Sequence, residues 1–195
     1  MADLDMPNDE LPIVPFPSME AWEKWLDDNH SSSRGLWLKI AKKASGISTI
    51  TYQEAVESAL CFGWIDGQRQ SFDDDWFLQR FTPRRSQSRW SQINREKVAE
   101  LKAQGRMRPA GLAEVESAKT DGRWDDAYAS PSNIEIPESL RLAFDTNPIA
   151  GEAFAALNAS SRYSILYRIH HIKDPEARNR RVEQVVEMLT RGEGL

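Results

Sequence analysis

The sequence has one cysteine and three histidines among 195 residues, and that scarcity removes several chemistries at once. A lone Cys61 excludes an internal disulfide and fits a reducing compartment, with the cytoplasm as the plain expectation. With His30, His170 and His171 as the remaining soft donors, no CxxC or HxxxH spacing exists, so neither a metal site nor a cofactor is expected. His170 and His171 are adjacent and point about 100° apart on a helix, which does not chelate one ion. No apolar run approaches the roughly 18 residues that span a bilayer, so membrane insertion is not expected. The first residues, Met1 to Met6, are acidic and lack the basic start and apolar stretch of a secretory signal. Internal repeats and low-complexity tracts are missing too. No catalytic signature stands alone, so no residue is assigned a catalytic role.

What is present is a real core and a polarised charge pattern. Hydrophobic residues make up 40% of the chain, seven tryptophans among them, while 28% charged residues and a mean hydropathy of -0.60 predict a well-solvated surface. The net charge is -5, but it is unevenly spread. Residues 1–30 carry eight acids against Lys24, whereas residues 80–108 carry nine bases against Glu96 and Glu100, a local excess of +7. Such a field attracts an anion or an acidic partner. The plainer alternative is neutralisation by the acidic N-terminal segment on folding.

Residues 1–15, acidic and interrupted by Pro7, Pro12 and Pro15, read as a loosely ordered tail. Ser18 suits the N-cap of a helix over 19–29, with Trp22, Trp25 and Leu26 on one face. Residues 35–41 alternate like a half-buried strand. Thr51 and Glu54 form a capping box opening a helix that buries Ala55, Val56, Ala59 and Leu60 and ends near Gly63. Residues 64–72 and 76–82 predict a hairpin around Asp73–Asp75, a cluster without the glycine and distal glutamate of a calcium loop. Residues 88–104 predict a helix presenting Trp90, Ile93, Val98 and Leu101, and Pro109 the start of another. After a linker over 129–137, residues 137–146, 148–157, a stretch capped by Ser160 or Ser161, and residues 174–192 all read as helices. The fold class is therefore α+β: a small antiparallel sheet of about three strands packed with helices over 16–128, then an all-helical module over 133–195.

Ala59 to Gly67, Gln79 to Arg85 with Trp90, Ser91 and Asn94, Gly105 to Gly111, and Asp121 to Trp124 together resemble the bacterial YdeI/OmpD-associated family. Ser161-Arg162-Tyr163 and Ala177 to Arg181 continue the likeness, which spans roughly Phe16 to Gly192. The resemblance implies a cytosolic bacterial protein with a C-terminal helical module, in a setting of stress or bacteriocin protection. It implies no reaction and no catalytic residue set.

Two groups of residues are candidates for a ligand site. Trp64, Asp66 and Arg80 come from facing strands of the hairpin, where Asp66 and Arg80 can meet across the ladder. They read either as a cleft with an aromatic wall or as a structural ion pair beside a core tryptophan. Arg84 and Arg85, with Arg89, Trp90 and Asn94, leave a strand after Pro83 and approach a helix N-terminus, where arginine forks and backbone amides suit phosphate or carboxylate. The bland counterpart is a solvated basic turn. Cys61, near a helix C-terminus in an apolar neighbourhood, reads as a buried structural residue rather than a nucleophile.

Three function classes remain. The favoured one is a non-enzymatic binding protein for an anionic small molecule or an acidic protein partner. Nucleic-acid binding, with Trp76 or Trp90 stacking on bases, runs against a pI of about 5.3. An enzyme on an anionic substrate would need Asp66 or Glu54 as its acid-base group, and no spacing supports one. Oligomeric state is not legible.

Overall fold

The computed structural model describes residues 11–131 and 133–192, which form two compact units divided between Ala127 and Tyr128. Most of the acidic tail lies outside the described residues. Its end, however, is ordered as a strand. Ile13–Pro15 (β1) pairs parallel with Leu36–Ala41 (β2), which pairs antiparallel with Trp76–Pro83 (β4), followed by Trp64–Ser71 (β3). The sheet is thus four-stranded and mixed, in the order β1-β2-β4-β3, where three antiparallel strands were expected. A three-residue strand ending in proline shows no alternation to read, and proline is tolerated there because β1 is an edge.

One face of the sheet packs on two helices, α1 (Met19–Asn29) and α2 (Tyr52–Cys61). Both begin as their caps dictate. The Ser18 hydroxyl accepts from the Ala21 amide at 3.4 Å. Thr51 accepts from the Glu54 amide at 3.2 Å while Glu54 accepts from the Thr51 amide at 2.8 Å, so two orphan donors are satisfied reciprocally. Between sheet and helices lie Leu36, Leu38, Ile40, Phe77 and Phe81 from the strands and Trp22, Leu26, Ala55 and Ala59 from the helices. Gly63, at φ 75°, makes the left-handed turn that sends α2 into β3, a conformation costly for any residue with a Cβ.

The helix predicted from residue 88 starts later, as α3 (Gln92–Ala103), because Ser91 takes the cap and accepts from the Asn94 amide at 3.1 Å. Trp90 therefore precedes the helix, and Ile93 is exposed rather than buried. Pro109–Thr120 (α4) opens on proline and completes this unit.

The second unit contains α5 (Glu138–Thr146), α6 (Pro148–Ala156), α7 (Ala159–His170) and α8 (Pro175–Thr190). They enclose a separate core of Leu140, Phe154, Ile165, Ile169, Val182, Val185 and Leu189. Asn158, not Ser160 or Ser161, caps α7, its side-chain oxygen accepting from the Ser161 amide at 2.8 Å. Together the strands and helices give the expected α+β class with a helical C-terminal region.

Candidate functional site

The two groups of candidate residues fall in different places. Trp64 is 1% exposed, and its indole donates to the His30 carbonyl at 3.1 Å. Its ring meets Trp22 and Trp25 edge-on, at 6.2 and 5.7 Å between centroids. It is a core residue, not a cleft wall.

Asp66 and Arg80 do not face each other. Asp66 pairs with Phe81 on the helix-covered side, where the Tyr52 hydroxyl donates to its carboxylate at 2.6 Å. Arg80 stands one position away, opposite Trp37 of β2, on the other side of the sheet. The register shift between Asp66 and Arg69 accounts for this: Gly67 and Gln68 bulge opposite Arg80, and buried Gln79 bridges the bulge by donating to both of their carbonyls. An offset of one residue sends a side chain to the opposite face, so a position count across the turn misplaces the pair.

The second group does come together. Arg84 is buried, its guanidinium 3.7 Å over the Trp90 ring and donating to the Arg89 carbonyl at 3.2 Å, while its own amide binds the Gly63 carbonyl. Trp90 in turn meets Trp124 edge-on at 4.9 Å, and Arg95 lies 5.3 Å over the Trp124 ring. The backbone of the turn is pinned at both ends. The Arg85 amide donates to the Ser88 hydroxyl at 2.9 Å, and the Arg123 guanidinium, held by Asp121, donates to the Ser88 carbonyl at 3.1 Å. The hydrogen bonds that Arg123 Nε donates to the Asp121 carboxylate hold that carboxyl below its ordinary value. Among the described residues, buried Trp90 Nε1 finds no hydrogen-bond partner.

Arg84 and Trp90 thus form a rigid layer beneath the turn, with Arg85 and Arg89 exposed above it and Asn94 and Arg95 half-buried on the first turn of α3. Arginine stacked on indole keeps its fork planar and weakly hydrated. Exposed guanidiniums beside a helix N-terminus suit a phosphate or carboxylate. The arrangement offers charge and donors; it assembles no acid-base pair.

A further cluster carried no local signal in the sequence. Arg106 pairs with Glu23 at 2.9 Å and Glu57 at 3.3 Å, Lys97 pairs with Glu57 at 2.8 Å, and the Ser58 hydroxyl donates to Glu23. These residues lie up to 83 positions apart. The Glu23–Arg106 pair is where the acidic N-terminal segment neutralises part of the basic stretch. Burial raises the Glu57 carboxyl, but hydrogen bonds from Lys97 and Gln53 and the nearby cations outweigh it and hold the group below its ordinary value. Cys61 lies beside this network, 1% exposed, its thiol pushed up to about 11 by burial against the pull of Arg106. Among the described residues no three His, Cys, Asp or Glu side chains converge to hold a metal ion.

Residues 14–114 match the family described as Domain of unknown function (DUF8412). Residues 133–192 match the family described as Bacteriocin-protection, YdeI or OmpD-Associated. No curated protein and no solved structure matches the chain.

Proposed function

From a chain that belongs to the DUF8412 family over residues 14–114 and carries a YdeI/OmpD-associated region over residues 133–192, we propose a non-catalytic binding protein that takes an anionic group at the turn before α3. Arg85, Arg89 and Arg95 make the contact, Asn94 adds an amide, and Arg84 with Trp90 supports the turn from below. One observation carries this reading: Arg84, stacked on Trp90 and bonded to the Arg89 carbonyl, holds a turn in which Arg85 and Arg89 are exposed. Pre-ordering of this kind lowers the entropic cost of gripping an anion. A small anionic molecule and an acidic protein segment present the same chemistry to it. The family description of residues 133–192 supports a setting of bacteriocin protection, and a free, buried thiol suits the cytoplasm.

Calorimetric titration of the full chain with inorganic pyrophosphate and with a polyglutamate peptide tests the proposal. Binding of either, weakened about tenfold by joint Arg85→Ala and Arg95→Ala replacement, is the expected result. Binding that the double replacement leaves untouched, or no binding at low salt, would overturn it.

A further inference from the structure

The face of the sheet turned away from α1 and α2 carries a separate feature. Along β2, Leu36, Leu38 and Ile40 point into the core, so Trp37, Lys39 and Ala41 point outward. The register sets Arg80 beside Trp37, Leu78 beside Lys39, and Trp76 beside Ala41, and opposed residues share a face. Lys39 Nζ sits between two rings, 4.3 Å from the centre of Phe72 and 4.6 Å from that of Trp76. Among the described residues, buried Arg80 Nε finds no hydrogen-bond partner, and neither Lys39 nor Arg80 forms an ion pair. Phe72 is 47% exposed.

We propose that this outward face of the sheet binds single-stranded nucleic acid, with Trp37 and Trp76 stacking on bases and Lys39 and Arg80 meeting phosphate or base oxygens. Trp76 lies beside Ala41, four residues from Trp37 along β2, so the two indoles stand about 13 Å apart along the strands. They therefore engage different bases of one strand. Aromatic side chains interleaved with cations are the usual platform for single strands, because every base offers a π-face. The alternatives fit less well. An apolar helix laid on this face would bury the Lys39 ammonium with only rings around it and no acidic group to pair with. An acidic peptide would supply acceptors but nothing to stack on the indoles. The chain's low pI of about 5.3 is a whole-molecule property, with many acids on other surfaces. Asp73–Asp75 bound the platform only at the hairpin tip, where one Asp73 oxygen is already taken by the amides of Asp75 and Trp76.

The test is fluorescence titration of the full chain with a short oligothymidylate, following both tryptophan quenching and labelled-strand anisotropy. Binding is expected at low salt and should fall steeply as salt rises. Trp37→Ala and Trp76→Ala should each weaken it at least about fivefold, Lys39→Glu should weaken it further, and Lys24→Gln on α1 should leave it unchanged. Each variant is first checked for a native unfolding transition; Lys39→Glu, on a half-exposed side chain, keeps the test open if a tryptophan variant unfolds. No binding at low salt, or binding indifferent to these variants, would overturn the proposal. So would equal affinity for duplex, or displacement by polyglutamate as effective as displacement by unlabelled strand.

Discussion

The guanidinium of Arg84 lies 3.7 Å over the ring of Trp90 and donates to the carbonyl of Arg89, so a residue that looks in the sequence like a surface cation is a structural part of the turn. Arg84→Ala should destabilise the chain by about 2 kcal/mol, from the lost stacking, packing and hydrogen bond together. Arg84→Lys should recover only part of this, because an ammonium cannot lie flat on an indole while reaching the carbonyl. Urea denaturation monitored by tryptophan fluorescence measures both.

Gly111 in α4 packs directly on the end of α2. A Cβ there would overlap the Cys61 carbonyl oxygen and come within 2.7 Å of the Leu60 carbonyl. Both obstacles are backbone, so neither can swing aside. Gly111→Ala should therefore cost about 3 kcal/mol or prevent folding of the N-terminal unit. Gly46→Ala is the informative contrast: its Cβ would meet nothing within 4 Å, although φ is 71° there, so its cost should be limited to the backbone term of about 1 kcal/mol. Thermal unfolding of the two variants should separate steric overlap from backbone strain.

The Glu23–Arg106–Glu57–Lys97 network should show in the acid limb of the stability curve. The Glu57 carboxyl is held below its ordinary value of 4.5 in the folded chain. Its contribution is thus complete above that ordinary value and is lost as pH falls through the depressed one. Glu57→Gln should lower stability at neutral pH and flatten the decline as pH falls below the ordinary carboxyl value of 4.5. Arg106→Ala should cost about 1 kcal/mol, since its partners are only partly buried and screened by solvent.

Cys61 should be inert in the native state. Its thiol is raised from an ordinary 9.0 to about 11 by burial, and thiolate is the reactive form. An aromatic disulfide reagent at about pH 8 should label it only at the rate of unfolding. Folding favours the neutral thiol, so its contribution is full below about pH 9 and is lost as pH climbs toward 11. Rapid stoichiometric labelling of the folded chain would contradict this.

The sequence by itself determined the elements whose signals are local. Ser18, the Thr51–Glu54 box, Pro109 and Asp174-Pro175 each start a helix within the reach of one turn, and alternation along residues 36–41 sets which side chains of β2 face the core. Those effects need only neighbouring residues, and neighbours are what a sequence displays. The tertiary structure decided the rest. A bulge at Gly67–Gln68 separated Asp66 from Arg80, and partners far along the chain joined Glu23 to Arg106 and Trp90 to Trp124. The short β1 strand is made of residues that favour extended backbone, but three residues do not show which strand edge they join, and that edge is β2. Above all, Arg84 and Trp64 went inside. Burial depends on what the rest of the chain brings to cover a side chain, and charge or aromaticity in the sequence does not carry that information.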